Sequence, residues 1–511
     1  MAALPESYLA NRTIRVLDPA CGDGELLVAL TRALSEAGVS SQQIIVGGFD
    51  QDPAAVELAR VRIAELNVGR SEILVANFLE TFEQLEGYDC IISNPPYVRT
   101  QVMGGARAQR LAKQFGLKGR VDLYQVFTAA ILRCLAPEAA VGLLTSNRFL
   151  TVKAGASMRK MLREHLQLNQ IFDLGDSRLF EAAVLPVIFT GNKLEADSNT
   201  GKRERTEFCR IYRNDSEAVG SECLLDLIEQ TTQTGAVTTQ QGNYELERGF
   251  LAGDDVWQLT NAHSQRWLKR IKKRQRYRFS DVAEIKVGIK TTADKVFIGD
   301  AWPEGMELLQ PLLTHHVAER WSCQKPKKRV LYPYDLAAPK RTVVDLIDYP
   351  IAAAHLRSNK VQLSARKYLI DAGRQWFEIW VAQQPSAWRR PKIVWPDISE
   401  HPNFFLDDSG ALVNGDCYWL TLREGFEDDW LFLILAIANS EIATQYYDFV
   451  FCNKLYAGRR RFMTQYVADF PLPDLEDELA QRVVKQTKNL TAGGEDDGSL
   501  NKLVKQLMLG K

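Results

Sequence analysis

The sequence predicts a doubly wound α/β domain followed by a domain of mixed α+β texture. Three observations carry that expectation. Over roughly the first 190 residues, short β-branched apolar runs alternate with helix-period segments. A glycine-rich turn follows the first of those runs, where α/β folds place ligands. Beyond residue 245 the texture changes to aromatic segments punctuated by Pro and Gly, such as RRPKIVWPDISEHPNFFLDDSG. At 511 residues the chain is too long for one ordinary core. The expected domains are 1–245, with its α/β core over 13–195, then 246–475, then a tail over 476–511.

Taken in order, Ile14 to Asp18 reads as the first strand and Glu25 to Ala37 as the first helix. Ile44 to Asp50 is the next strand. Asp52-Pro53 supplies an N-cap and a first-turn proline for a helix running to about Leu66. Ile73 to Ala76 and Asp89 to Ser93 continue as strands, and helix Leu123 to Leu135 precedes strand Val141 to Thr145. Helix Ala154 to Leu166, strand Gln170 to Leu174 and strand Val184 to Thr190 close the α/β pattern. Glu195 to about Glu245 is polar and rich in Thr and Gln, with short strand-like pieces, which reads as a boundary zone. Trp430 to Phe449 is expected as one helix, and TAGGEDDGS as a flexible linker before an amphipathic helix, Leu500 to Leu509.

Composition excludes several functions. Hydrophobic residues make up 46% and charged residues 25%, ordinary globular values, and no apolar run is long enough for a membrane span. The N-terminus MAALPESYLANRT lacks the pattern of a signal peptide, so the expected compartment is the cytoplasm. The eight cysteines are scattered without a CxxC pair and the six histidines show no ligand spacing, so no metal site is expected. Net charge is −1, so any nucleic-acid contact must come from local basic patches. Candidates are Arg270, Lys272, Lys273 and Arg274 in RWLKRIKKRQRYR, the pair Arg389 and Arg390, and the pair Arg459 and Arg460.

Asp18-Pro-Ala20-Cys-Gly22-Asp-Gly24 sits where the first strand turns into the first helix. Gly22 and Gly24 let backbone approach a bound molecule, and the helix N-terminus offers free N–H groups. Asp50 ends the next strand, where an acid commonly takes ribose hydroxyls. This pattern also fits nicotinamide-dinucleotide binders and plain structural turns. With no third glycine and no Lys-Ser/Thr, a pyrophosphate is disfavoured, and a cationic sulfonium cofactor beside Asp18 is better suited.

Asp89-Cys-Ile-Ile-Ser93 runs straight into Asn94-Pro95-Pro96-Tyr97. Successive prolines stiffen the turn and keep the residue before each one extended. The Asn94 side chain and the Pro95 carbonyl can then be held as paired acceptors for one amino group. Two acceptors on its hydrogens favour the geometry in which the nitrogen lone pair attacks a methyl group, a task of positioning that needs no titrating side chain. Tyr97 offers a flat face on which a planar substrate stacks.

On these residues the chain resembles the γ-class amino-methyltransferases of restriction-modification systems, the TaqI methyltransferase family and its Type IIG relatives. The resemblance implies a class I S-adenosylmethionine-dependent methyltransferase domain of Rossmann-like fold, a C-terminal DNA-recognition domain, and adenine-N6 methylation of double-stranded DNA. Asp18 to Gly24 resembles the family's cofactor loop, Gly48 to Pro53 its ribose motif, and Asn77-Phe78-Leu79 the motif that holds the cofactor's adenine, where the family usually has Asp. Val121 to Tyr124, Leu144 to Asn147 and Phe172 to Gly175 follow the same pattern. Phe180 matches the aromatic implied to sandwich the flipped adenine with Tyr97. VGIKTTADKVFIGD, NGDCYWLTL and RRRFMTQYVADFPLP resemble the specificity domain, within which Glu284-Ile-Lys286 reads as structural rather than as a nuclease half-motif. About a dozen residues precede Ile14, fewer than the family's usual leading segment, so either Leu4 to Leu9 is a reduced version or a separate nuclease or defence subunit completes the cofactor site. Two other readings stay open: a protein-glutamine or RNA amino methyltransferase, since NPPY also serves there, and a recognition subunit active only within a larger defence complex.

Overall fold

The computed structural model describes the chain except residues 1–11, 99, 120, 176, 178–184, 196–203, 215–219, 222, 231–233, 254–256, 452–454, 456–457 and 511. It divides into two units, Met1–Asn261 and Ala262–Lys511.

In the first unit, strands β1 (Ile14–Asp18), β2 (Ile44–Asp50), β3 (Arg70–Val75), β4 (Tyr88–Ser93) and β5 (Leu135–Ser146) run parallel in the order β3–β2–β1–β4–β5. The order reverses between β1 and β4, which makes the carboxyl ends of those two strands the crevice where such sheets take ligands. Beyond β5, β7 (Pro186–Lys193) lies antiparallel between β5 and β6 (Leu166–Asp173). Helices cover both faces, so the central strands are continuous apolar runs. On one face, helix α1 (Glu25–Glu36) and helix α2 (Pro53–Ala64) bury Leu27, Leu34, Val56, Ala59 and Ile63 against Ile14, Val16 and Val46. On the other, helix α3 (Leu123–Cys134) packs almost entirely buried against Leu17, Phe49, Phe78 and Ile91.

The expected boundary zone is instead part of this sheet. Strand β8 (Glu207–Asn214) pairs with β6, β10 (Gly242–Ala252) pairs with β8, and β9 (Gly235–Thr239) and β11 (Gln258–Thr260) flank β10. The unit therefore ends after Asn261, and residue 245 falls inside β10. Cys209, Ile211, Tyr244 and Leu246 share a small core with Leu174, Leu224 and Ile228, while intervening positions stay polar, and that alternation dilutes the apolar signal.

The second unit holds a four-stranded antiparallel sheet of Ala283–Val287, Cys417–Leu422, Lys392–Pro396 and Phe405–Asp407. Glu284 and Lys286 lie in its first strand as an ion pair at 2.9 Å, with the half-buried lysine also over the Trp419 ring. A second sheet joins Ile298–Gly299, Arg329–Leu331, Leu309–Leu313 and Leu412–Val413. Trp430 to Phe449 forms two helices, Asp429–Ala438 and Glu441–Val450. They part at Asn439, whose side chain bonds both backbone groups of Phe404, and at Ser440, whose hydroxyl caps the second helix through Ala443. The expected tail belongs to this unit's core: helices Glu478–Thr491 and Ser499–Leu509 bury Val483, Val484, Val504 and Leu507 in one cluster with Trp430 and Ile434.

Candidate active site

The loop after β1 owes its path to two glycines in the left-handed region, Gly22 at φ 51° and Gly24 at φ 86°. Gly24 is also a point of close approach, because a Cβ there would meet Ala59 of α2 at 3.0 Å, whereas nothing lies within 4 Å of one at Gly22. Open space thus faces the Gly22 backbone. Asp50, half-exposed at the end of β2, accepts from the Gly22 N–H at 2.9 Å and from the Asp52 N–H at 3.0 Å. Asp52 in turn caps α2 through the Ala54 N–H at 2.9 Å.

Asp18 differs from the expectation of a carboxylate beside the cofactor. It is 1% exposed, and its Oδ1 accepts from the Ala20 N–H at 2.9 Å and from the Ser93 hydroxyl at 2.7 Å. Burial, with a smaller push from Asp50, raises its pKa to about 7 against the pull of those two hydrogen bonds. Asp18 therefore braces the loop from beneath and ties it to the last residue of β4. Ser93 is not legible as functional from the sequence, where it is only the end of a strand.

Asn94 follows, exposed, with Pro95 buried behind it. Tyr97 is half-buried, donates its hydroxyl to the Leu144 carbonyl of β5 at 3.2 Å and sets its ring 6.4 Å from that of Tyr124. Burial pushes the Tyr97 phenol up to about 12, so it stays neutral. The Val98 carbonyl accepts from Leu123 at 3.0 Å, which fixes the exit of the turn to the start of α3. Asn94 to Tyr97 are thus held from both sides, next to the loop of β1. Phe180 lies outside the described residues.

After β3, Asn77 caps a short helix through the Leu79 N–H at 3.2 Å and donates to Glu80 at 2.8 Å. Phe78 is 1% exposed and packs with Phe49, Phe82 and Phe127 at ring separations of 6.1, 6.2 and 5.6 Å, so it forms the floor of the region. Two stretches that follow the family pattern meet in a buried group beyond β5: Asp173 accepts from Asn147 Nδ2 at 2.9 Å and from the Gly175 N–H at 3.3 Å, and Arg210, which sequence reading missed, stands 3.6 Å away. Arg210 sits in the stretch that reads as a boundary, and nothing in FCRIY distinguishes it.

The basic candidates divide. Arg270 donates to the Leu509 carbonyl, Arg390 to the Leu422 carbonyl, and Arg460 clasps Asp448 at 2.8 and 2.7 Å, so these three hold structure. Arg274 stands 3.9 Å from Asp477. Lys272, Lys273, Arg389 and Arg459 are exposed.

The open space at Gly22, the half-exposed Asp50 carboxylate and the Asn77 amide lie at the carboxyl ends of β1, β2 and β3, a lining that fits a nucleoside with a cationic sulfur. This fold and this site define a class I S-adenosylmethionine-dependent methyltransferase. Residues 2–116 match the methyltransferase small domain, residues 65–180 the Eco57I restriction-modification methylase, and residues 342–472 the TaqI-like C-terminal specificity domain. The chain is 37% identical over 523 residues to the Type II methyltransferase M.BanIII of Aneurinibacillus aneurinilyticus, covering 95% of this chain and 89% of that one. It is 25% identical over 487 residues to the Type II methyltransferase M.XhoI of Xanthomonas vasicola, covering 90% and 86%. The solved structure of the Type IIL restriction-modification enzyme MmeI in complex with DNA shares the fold with a TM-score of 0.64 at 14% identity, over 97% of this chain and 70% of that one. The chain belongs to the Type II methyltransferases of restriction-modification systems. It is a DNA methyltransferase of that type and uses S-adenosylmethionine as methyl donor. Among the described residues no helix is long and apolar enough to cross a membrane.

The buried Asp18 gives a signature in pH. Its folded pKa of about 7 exceeds the ordinary 3.8, so the native state holds the extra proton between those values. The stability it contributes is full below about pH 4 and is lost as pH rises through about 7. Asp18→Asn keeps an acceptor for Ala20 and Ser93 without the charge. Thermal melts of the cofactor-free protein at pH 5 and pH 8 are therefore expected to differ less in this variant than in wild type. Equal pH dependence in the two proteins would count against a buried, proton-holding Asp18.

Proposed function

We propose that the chain transfers a methyl group to N6 of an adenine turned out of double-stranded DNA, at a specific site. The observation that carries this reading is the Ser93–Asp18 hydrogen bond at 2.7 Å, which joins the cofactor loop of β1 to the Asn94 turn of β4. Donor loop and acceptor turn are thereby neighbours across the switch point of the sheet.

In this reading the exposed Asn94 side chain and the Pro95 carbonyl accept the two hydrogens of the amino group, drawing its lone pair out of conjugation with the ring. Tyr97, tethered at its hydroxyl, stacks on one face of the base, and Phe180 is assigned the other face. Asp50 takes the ribose hydroxyls, the backbone from Ala20 through Gly22 to Gly24 lies along the cofactor, Asp18 shapes that stretch, and Asn77 and Phe78 flank the adenine of the cofactor. S-adenosylmethionine supplies an electrophilic methyl group on a sulfonium that leaves as a neutral thioether. Neutral tyrosine and unionised amide mean that no side chain here has to change protonation for the transfer; the nitrogen takes up the positive charge as the methyl–sulfur bond breaks, and then gives up one of its two hydrogens as a proton to water. The proposed role is to mark DNA against a nuclease of the same specificity, in the cytoplasm.

The purified chain, given tritiated S-adenosylmethionine and duplex DNA, is expected to yield 6-methyladenine on digestion. Label in cytosine, or only in RNA or protein offered in parallel, would refute the reading.

A further inference from the structure

Cations, amides and a hydroxyl converge on one stretch of the second unit. Its centre is a bridge in which Lys290 and Val381 exchange backbone hydrogen bonds, both at 3.0 Å. On one side of the bridge lies an open groove lined by Lys290, Thr292, Lys295, Gln362 and Asn414. On the other lies a groove lined by Lys340, Arg341, Arg374 and Gln384. Five cations line the pair against two carboxylates, Asp294 and Asp416, so the face is basic in a chain whose net charge is −1.

The first groove is also rigid. A Cβ on Gly288 would stand 1.9 Å from the Asn414 carbonyl oxygen, so only glycine lets the two segments touch, and Ile289 donates to Val413 at 2.7 Å. The Thr291 hydroxyl accepts from the Ala293 N–H at 3.1 Å and donates to Asp294. Buried Arg366 fastens the same loop from behind, donating to the Thr291 carbonyl at 2.9 Å and to that of Trp376 at 2.8 Å. That fastening leaves Thr292, at φ 58°, exposed on a fixed backbone, its hydroxyl donating to the Thr291 carbonyl at 2.6 Å and keeping acceptor capacity toward the groove. In the second groove, Arg374 lies 5.0 Å over the ring of Trp380 and donates to the carbonyls of Ile379 and Trp380, so it shapes the groove.

Phosphate binding alone would need only cations; sequence reading needs amides and hydroxyls at fixed places beside them, since Asn and Gln match adenine, Lys matches guanine and Thr serves either. We propose that this face reads duplex DNA, Gln362, Asn414 and Thr292 meeting base edges while Lys290 and Lys295 hold the flanking phosphates. The proposal rests on the reading of the chain as a duplex-DNA methyltransferase. It places recognition on residues other than the basic runs that stand out in the sequence, of which Arg270, Arg390 and Arg460 are tied to the protein itself.

Two measurements on the full-length chain test it: methylation of a pool of randomised duplexes, sequenced for the sites modified, and fluorescence anisotropy of duplex binding over a range of salt. Gln362→Ala and Asn414→Ala are each expected to lose about tenfold or more of the discrimination at one or two base pairs. Lys290→Ala with Lys295→Ala is expected to weaken binding to every sequence alike and to lower the salt slope by about one for each phosphate that is no longer neutralised. Gln362 is exposed, so its variant folds whatever the fate of the Asn414 one. Unchanged site preference in the Gln362 variant together with an unchanged salt slope in the lysine variant overturns the proposal. A wild-type pool with no methylated adenine overturns the parent reading instead, and the anisotropy series still decides whether this face binds DNA.

Discussion

Asn94→Ala is expected to lower methyl transfer to duplex DNA by about a hundredfold to a thousandfold, the range found when one fixed polar contact to a reacting group is removed. S-adenosylmethionine binding should stay within a few-fold of wild type. The separation follows from the geometry. Asn94 is exposed beyond the end of β4, whereas the bond that joins the two loops is made by the residue before it, through Ser93 Oγ and Asp18 Oδ1. Truncating Asn94 therefore takes away the acceptor proposed for the substrate amino group and leaves the Ser93–Asp18 bond as it was. Isothermal titration with S-adenosylmethionine and single-turnover transfer to saturating duplex separate the two effects. A main loss in cofactor affinity, with transfer intact once the site is filled, would show that Asn94 belongs to the cofactor site.

Much of this site is visible in the sequence because local chemistry fixes it. Asp52-Pro53 forecasts the cap and first turn of α2, and the paired glycines forecast the left-handed turn before α1. What the sequence hides are properties of long-range packing. Asp18 looks like any loop carboxylate until β4 covers it, and Ser93 acquires a partner only because β1 and β4 are neighbours in space. The strands β8 and β10 show in the sequence only as short strand-like pieces for a related reason: paired at the far side of β6, they bury alternate residues only, and that half-apolar pattern does not reveal that they join the sheet. Charge misleads in the other direction. A run of Lys and Arg announces cations but not their partners, and Arg460, at the centre of RRR, is held by Asp448.

Arg210→Met is expected to destabilise the first unit by about 3–5 kcal/mol at pH 8, the usual result of stranding one partner of a buried ion pair. Arg210 and Asp173 are 4% and 1% exposed at the side chain, with Glu247 a second, more exposed partner of the arginine at 3.3 Å. Burial already pushes Asp173 above the usual carboxylate range, and Arg210 is the largest influence holding it down. Without the guanidinium the carboxyl rises further and keeps its proton to higher pH. A raised folded pKa means stability that is present in acid and lost as pH rises, so the deficit of the variant should be smaller at pH 5 than at pH 8. Asp173→Asn in the same chain removes the stranded charge and leaves an oxygen that can accept from Asn147 and the Gly175 N–H, so the double variant should recover most of the loss. Urea unfolding of the three proteins at both pH values checks this, and a double variant no more stable than Arg210→Met would show that the arginine contributes by packing alone. The consequence for catalysis comes through Asn147 and Gly175, which hang on Asp173 at the carboxyl ends of β5 and β6, the same edge of the sheet that carries Asn94. At a temperature where Arg210→Met remains folded, its methyl transfer should fall at pH 8 and recover toward pH 6 more than wild type does, because protonating Asp173 relieves the charge that the arginine no longer answers.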